Sequence, residues 1–166
     1  ATGNTLEKVQ GNGQWTGGAA SLNQVGNEGY LEFIATETNR RRMIGLSDTD
    51  INSNFNTIDY AFFLQNNTNL SIYENGSNRG TFGTYSSGDT LRISVENSTI
   101  HYYRNGEVLR IAPAAPTLPL IVDVSIRDTG GTLSNVSVTN NNDGNFTAFA
   151  SNAGTSPSFQ WRLNGA

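Results

Sequence analysis

The amino-acid sequence predicts an all-β protein folded as a sandwich of two stacked antiparallel sheets. No segment sustains a 3.6-residue apolar period, whereas short runs that alternate apolar and polar residues recur along the chain. Clusters of Gly, Asn and Asp separate these runs, as turns do. About a dozen strands imply two sheets rather than one. The predicted strands lie near residues 5–10, 19–25, 29–36, 42–47, 58–65, 69–75, 80–85, 90–96, 99–104, 107–112, 119–127 and 132–139.

Two tight turns predict the register of the strands between residues 90 and 112. Asn105-Gly106 is the preferred type I′ hairpin turn, so Arg104 should face Glu107. The same register pairs Tyr103 with Val108, Tyr102 with Leu109, His101 with Arg110 and Ile100 with Ile111. A turn at Asn97-Ser98 sets Val95 against Ile100, Ile93 against Tyr102 and Arg92 against Tyr103. We therefore expect His101 and Tyr103 to lie opposite one buried face, made of Ile93, Val95, Ile100, Tyr102, Leu109 and Ile111.

The segment "DYAFFLQNNTNLSIYENG" predicts a second hairpin. A three-residue loop, Asn66 to Thr68, would pair Leu64 with Leu70 and Phe62 with Ile72. The outward face would then carry Asp59, Ala61, Phe63, Ser71, Tyr73 and Asn75. This face is unusually aromatic for solvent, which indicates either a ligand surface or a cover supplied by another part of the chain.

The composition changes after Thr139, where "NNNDG" is typical of a linker. Two short alternating segments follow and end at Trp161, but a stretch this short cannot bury a core alone. We expect a binding module over residues 1–140 and a linker with a partial second domain over residues 141–166. This segment should be ordered by packing on residues 1–140 or on another copy of the chain, which would give a dimer.

Four segments, in this order, resemble SPRY-type domains of the concanavalin A-like superfold: "GYLEFIA", "MIGLS", "YSSGDTLRISVENSTIHYYRNGEVL" and "LPLIVDVSI". The match spans residues 19–138 and implies a jelly-roll sandwich. Lectins, glycosidases and protein-binding domains share this superfold, so the resemblance does not decide function. The segment "FQWRLNGA" resembles Ig-like or PKD-like repeats of secreted bacterial modular proteins, which implies a secreted or cell-surface location.

Composition argues against several classes of partner. Charged residues make up 14% of the chain and the net charge is −4, so neither nucleic acid nor an anionic membrane is favoured. The absence of cysteine excludes disulfides, Cys-ligated zinc and thiol catalysis. No apolar run approaches the ~20 residues that span a membrane. The run Arg40-Arg41-Arg42 predicts a solvated loop.

The acidic residues and the single histidine do not form a recognisable catalytic set. Retaining glycosidases need two carboxylates about 5–5.5 Å apart, which on one strand means an i, i+2 pair. The acidic pair with this spacing is Asp48/Asp50, in a turn-rich segment. His101 has no evident serine or carboxylate partner, so we expect no catalysis.

The segment "DTDINSN" is a candidate calcium loop. Side-chain oxygens at Asp48, Asp50, Asn52 and Asn54 are spaced as in the first half of such a loop. The Gly and Glu that complete an EF-hand loop are missing. The alternatives are a bound Ca²⁺ ion and a loop capped by Asx turns.

Outward aromatic residues beside polar ones predict a glycan site, because sugars stack on aromatic faces and hydrogen-bond at their rims. One candidate stripe holds Asp59, Phe63, Tyr73 and Asn75, and the other holds Arg92, His101, Tyr103 and Arg110. Trp15, in "GNGQWTGG", is either a third platform or a plug for one end of the core. Loops, a neighbouring domain or the arginines could instead cover each stripe.

The sequence therefore favours a non-catalytic carbohydrate-binding module, with the Asp59 to Tyr73 stripe as the first candidate site. The alternatives are a protein-binding module and a structural spacer.

Overall fold

A computed structural model describes residues 4–11, 13–140, 148–149 and 159–162. Within these ranges the strands form two seven-stranded sheets with antiparallel pairing, and no helix is long and apolar enough to cross a membrane. The first sheet has the order β10-β9-β8-β3-β12-β1-β14, and the second has the order β13-β2-β11-β4-β5-β6-β7. One short 3-10 helix spans Phe55–Thr57. The strands are β1 (Thr5–Lys8), β2 (Gly17–Val25), β3 (Tyr30–Ile34), β4 (Arg42–Ser47), β5 (Tyr60–Leu64), β6 (Asn69–Glu74), β7 (Ser77–Thr84), β8 (Thr90–Glu96), β9 (Thr99–Arg104), β10 (Glu107–Ile111), β11 (Leu120–Ile126), β12 (Thr132–Thr139), β13 (Ala148–Phe149) and β14 (Phe159–Arg162).

The predicted all-β sandwich is confirmed, and each predicted strand overlaps one of β1 to β12. The core lies between the sheets, where alternate side chains of both meet. Phe62 of the second sheet contacts the first sheet through two rings, with its centroid 6.3 Å from that of Phe33 and 5.4 Å from that of Tyr102. The predicted inner-face residues Ile93, Val95, Ile100 and Tyr102 are fully buried.

The predicted strand pairing is confirmed for the residues next to each turn. Asn97 and Ser98 both have positive φ, and the pairs Val95–Ile100, Ile93–Tyr102 and Arg92–Tyr103 are confirmed. In the second hairpin, Gln65 N–H donates to Asn69 O, and the pairs Leu64–Leu70 and Phe62–Ile72 are confirmed. Next to Asn105-Gly106, the pairs Arg104–Glu107 and Tyr103–Val108 are also confirmed.

Beyond Val108 the predicted register is wrong because a β-bulge interrupts β10. Tyr102 pairs with Arg110 in place of the predicted Leu109, and His101 pairs with Ile111 in place of the predicted Arg110. The predicted Ile100–Ile111 pair is likewise absent from this ladder. One inserted residue turns every later side chain to the other face of the sheet. Ile111 is consequently 51% exposed, not buried, and Leu109 is only partly buried against the core.

The prediction of a solvated arginine run is wrong for Arg42. This residue opens β4 and its side chain is fully buried. The guanidinium donates to the carbonyl oxygens of Arg40 (2.9 Å) and Glu37 (2.8 Å) and lies 3.4 Å from the Glu37 carboxylate. The buried charge is tolerated here because two backbone carbonyls accept hydrogen bonds from the guanidinium and the Glu37 carboxylate offsets its charge, while Nε has no hydrogen-bond partner among the described residues.

The last two strands extend both sheets. β13 pairs with β2 and β14 pairs with β1, both antiparallel, so the C-terminal segment adds a strand at one edge of each sheet. This backbone pairing agrees with the expected packing on residues 1–140. The linker around residues 141–147 lies outside the described residues. The domain boundary, the Ig-like character and the dimer stay predictions.

Candidate functional site

The outer face of the second sheet is covered by aromatic residues of the chain itself. Trp15 lies 4.8 Å from Phe55 and 5.6 Å from Phe63 between ring centroids. Tyr73 makes edge contacts with Phe55 at 6.1 Å and Phe63 at 5.8 Å. We call these four residues the Trp15 cluster; it packs on three fully buried residues, Met43, Ile58 and Ala61. The cluster is a second small core, so Phe63 and Tyr73 have a packing role.

A buried lysine holds the segment that carries Trp15 against the sheet. The Lys8 ammonium donates to the carbonyl oxygens of Gln14 (2.8 Å), Ile126 (3.2 Å) and Arg127 (2.9 Å). The Thr16 hydroxyl lies 3.1 Å from the same ammonium, so four oxygens share its three N–H donors. Because the ammonium is buried, these oxygens replace its water shell and fix residues 13–16 to β11. Trp15 therefore covers the outer face of the second sheet and does not plug an end of the core.

The polar members of the first candidate stripe support loops. The Asp59 carboxylate accepts a hydrogen bond from the Asp48 backbone N–H at 2.9 Å. Asn75 has a φ of 50° at a turn, and its backbone N–H donates to Asp59 O at 2.8 Å. In the first candidate stripe, Phe63 and Tyr73 therefore make packing contacts, and Asp59 and Asn75 make loop and turn contacts.

The candidate calcium loop makes the contacts of Asx turns. Asn52 Oδ1 accepts from Asn54 N–H at 2.8 Å, and Asn54 Oδ1 accepts from Asn56 N–H at 3.4 Å at the start of the 3-10 helix. Burial raises the pKa of the Asp50 carboxyl. In the described part of the chain, no group of three or more His, Cys, Asp or Glu residues is placed to hold a metal ion. The contacts of Asn52 and Asn54 are those expected of a loop capped by Asx turns.

The outer face of the first sheet carries two rows of side chains that run across five strands. Strand pairing places in one row Val108, Tyr103, Arg92, Glu32 and Ser137. The neighbouring row holds Ile111, His101, Ser94, Tyr30 and Thr139. Of the second predicted stripe, Arg92, His101 and Tyr103 thus share one face. Arg110 does not, because the bulge turns it toward Glu74 of the second sheet, 2.8 Å away.

Arg92 is held in place by two neighbours on β3. Its Nε and Nη2 both donate to Glu32 Oε2, at 2.8 and 2.6 Å. Its guanidinium carbon also lies 4.2 Å from the centroid of the Tyr30 ring, a cation–π contact. A guanidinium has five N–H donors, so these two contacts leave others for a ligand.

Glu96 is held by donors from β8 and β9. Its Oε1 accepts from Ser94 Oγ at 2.5 Å and from Tyr103 Oη at 2.9 Å, and its Oε2 lies 3.5 Å from His101 Nδ1. Burial alone would raise the pKa of this carboxyl, but the hydrogen bonds from Ser94 and Tyr103 and the positive potential of His101 hold it below its usual value. The Tyr103 and His101 rings are nearly parallel, at 14°, with centroids 6.2 Å apart.

Arg92, Glu96 and Tyr103 border an open groove of about 520 Å³. We call it the Arg92 groove; it is lined by Glu32, Thr90, Arg92, Glu96, Tyr103, Asn105 and Gly106. Sequence reasoning missed Glu32, Glu96 and Tyr30. Alternation in "YLEFI" places Tyr30 and Glu32 on one face of their strand, but that β3 lies beside β8 is set by topology, which no local pattern shows.

Comparison with protein-family profiles and with curated proteins gave no match. Solved structures with similar folds include the SPRY domain of human HERC1, with a TM-score of 0.58, 19% identity, 82% of this chain covered and 89% of that chain. The apo Crh5 transglycosylase has a TM-score of 0.53 and 10% identity, covering 80% of this chain and 70% of that chain. A toad ovary galectin in complex with thio-digalactose has a TM-score of 0.50 and 11% identity, covering 74% and 98%. Identities this low show the fold alone, which is a jelly-roll sandwich of two antiparallel sheets.

Proposed function

We propose that the protein is a non-catalytic carbohydrate-binding module that takes a glycan in the Arg92 groove. The observation that carries this proposal is the juxtaposition, on one open sheet face, of an aromatic ring with fixed hydrogen-bonding groups. Tyr103 offers the ring, Arg92 offers free N–H donors, and Glu32 and Glu96 offer carboxylate acceptors. Glycan sites combine these features, with a flat apolar surface for C–H groups and planar polar groups for hydroxyls.

Preorganisation supports the same proposal. Arg92 is fixed by Glu32 and Tyr30, and Glu96 is fixed by Ser94 and Tyr103. A ligand would not have to order these long side chains on binding, which removes an entropic cost that weakens most surface sites. The groove is thus better suited to a ligand than the Trp15 cluster, where the aromatic rings already pack on one another.

The two carboxylates of the groove do not favour hydrolysis. Glu32 lies opposite Arg92, and Glu96 lies four residues further along β8. Their backbone positions are therefore roughly 13 Å apart at ~3.3 Å per residue, whereas the two carboxylates of a retaining glycosidase stand two residues apart when they share a strand. Both carboxylates also accept hydrogen bonds from the protein itself, which supports a binding role.

A protein partner is the second candidate, and one observation favours it. Val108 and Ile111 are each 51% exposed and lie on the same face as Tyr103 and His101. Apolar side chains at the margin of an aromatic patch suit a protein interface.

An extracellular location, secreted or at the cell surface, is proposed for either function, because the chain is rich in Asn, Thr, Ser and Gly and contains a single lysine, Lys8.

A glycan array followed by calorimetry on the bound glycans tests the proposal. We expect the full chain to bind, and Arg92→Ala to weaken binding at least ten-fold with only a small change in melting temperature, because the Arg92–Glu32 ion pair is partly exposed and such pairs add little stability. Arg40→Ala is the matched control: Arg40 donates to Thr129 O outside the groove, so binding should not change. Product analysis of the same mixtures should show no cleavage. If no glycan binds, the protein-binding candidate replaces this proposal.

A further inference from the structure

The charges in the Arg92 groove do not balance. Its one guanidinium, Arg92, pairs with Glu32 at 2.6 Å. Glu96 adds a second carboxylate, and its near neighbour His101, at 3.5 Å, adds a charge only when it is protonated. With the imidazole neutral, the charged groups of the groove therefore sum to one negative charge.

The unmatched charge is placed where a ligand would meet it. The Glu96 side chain is 38% exposed, whereas its hydrogen bonds to Ser94 and Tyr103 fix its direction. Those donors also keep the pKa of Glu96 below its usual value, against the effect of burial, so the carboxylate is ionised at neutral pH. The remaining lone pairs of Glu96 can accept hydrogen bonds from sugar hydroxyls.

We propose that the Arg92 groove selects neutral glycans over anionic ones, and that Glu96 is the residue that sets this preference. The inference rests on the proposed function and specifies its ligand class. A hydroxymethyl group can donate to the remaining lone pairs of Glu96. A uronate or sulfate in the same position brings a like charge toward Glu96 in a partly desolvated groove, and Arg92, already paired with Glu32, offsets little of that repulsion.

The test compares matched ligands that differ in one group. The probes are hexasaccharides of β-1,4-linked glucose, mannose and galactose, together with the C6-oxidised uronate form of the tightest binder. The binding constants are measured by calorimetry at pH 8. We expect the neutral hexasaccharide to bind at least ten-fold more tightly than its uronate at low salt, and this ratio to shrink in about 0.5 M salt, where charges are screened.

Glu96→Gln should reduce the neutral-to-uronate ratio at least five-fold, because it removes the charge and keeps an oxygen that accepts from Tyr103. Glu7→Gln removes the same charge from β1, three strands away from β8 in the same sheet, and should leave the ratio unchanged. If wild type binds the uronate as tightly as the neutral ligand, the inference fails and the proposed function stands. If Glu96→Gln keeps the wild-type ratio and melting curve, Glu96 does not set the preference. If no probe binds, the inference fails, and the glycan array decides the proposed function separately.

Discussion

Arg110 of β10 and Glu74 of β6 join the two sheets through a bidentate ion pair. Arg110 Nε lies 2.8 Å from Glu74 Oε1, and Nη2 lies 3.0 Å from Oε2. Arg79 adds a third contact, with Nε 3.1 Å from Oε2. The Glu74 side chain is only 5% exposed, so its carboxylate depends on these partners in place of water.

Removing Arg110 should therefore destabilise the fold. We expect Arg110→Ala to lower the free energy of unfolding by about 1.5–3 kcal/mol, the range for hydrogen bonds to charged groups. Urea denaturation measures this change. Glu107→Ala, at an exposed position on the same strand, should change it by less than about 0.5 kcal/mol. Equal midpoints for wild type and Arg110→Ala would show that Arg79 alone satisfies Glu74.

The hydroxyl of Tyr102 offers a stabilising substitution. This residue is fully buried, and its hydroxyl has no hydrogen-bond partner among the described residues. An unsatisfied buried hydroxyl costs free energy, so Tyr102→Phe should raise the free energy of unfolding by about 1 kcal/mol, whereas Tyr102→Ala should lower it by about 3–5 kcal/mol. The control is Tyr85→Phe, which removes a hydroxyl that donates to Gln65 O at 2.8 Å and should be destabilising. Thermal unfolding that ranks the two Phe variants in the opposite order would contradict this reading.

The sequence predicted what local chemistry decides. Asn105-Gly106 fixed the pairs beside its turn, but the bulge further along β10 allows Arg110 to reach a different sheet, which no hairpin rule contains. Alternation likewise predicted that Phe63 faces outward, either to bind a ligand or to be covered by another part of the chain. It could not identify Trp15 as that cover, because the contact joins segments far apart in the chain. Of the Arg92 groove, the sequence predicted Arg92 and Tyr103 but not Glu32, because Glu32 lies beside Arg92 only through the order of the strands.

Asp123 should make stability fall as pH rises. Burial, reinforced by the negative charges of Asp50 and Asp59, raises the pKa of this carboxyl to about 8 in the folded protein. The folded state therefore binds more protons than the unfolded state between about pH 4 and pH 8, and stability declines across this window by at most ~1.4 kcal/mol per pH unit. Asp123→Asn removes this term, so its stability relative to wild type should increase from pH 5 to pH 8 and then level off.

Urea denaturation at one-unit pH steps measures that difference. Asp128→Asn is the matched control: although burial opposes it, hydrogen bonds from Arg41 lower the pKa of Asp128. Its contribution is fully present above the unfolded-state pKa, so this variant should differ from wild type by a constant amount from pH 5 to pH 8. A constant difference for Asp123→Asn as well would mean that Asp123 is ionised in the folded protein.

The Trp15 cluster should stabilise the fold without contributing to ligand binding. Trp15→Ala removes the ring that contacts Phe55 and Phe63 and uncovers the outer face of the second sheet. Because Trp15 is half-buried, we expect a loss of about 1–3 kcal/mol, below the cost at a fully buried site. Leu22→Ala, at a side chain that is 61% exposed, should cost little. Glycan affinity of the Trp15→Ala protein, measured well below its melting temperature, should equal that of wild type; a large loss would place the site on the second sheet.

Tyr103 and Tyr73 separate a binding tyrosine from a structural one. Tyr103 lines the Arg92 groove and its hydroxyl donates to Glu96, whereas Tyr73 packs edge-on against Phe55 and Phe63. Tyr103→Ala should therefore weaken glycan binding by roughly 1–3 kcal/mol at a nearly unchanged melting temperature. Tyr73→Ala should lower the melting temperature and leave affinity unchanged. Tyr103→Phe, which keeps the ring but frees Glu96 from one donor, should fall between wild type and Tyr103→Ala. Calorimetry and melting curves on the same preparations check all three variants; weaker binding by Tyr73→Ala with an intact fold would move the site to the Asp59 stripe.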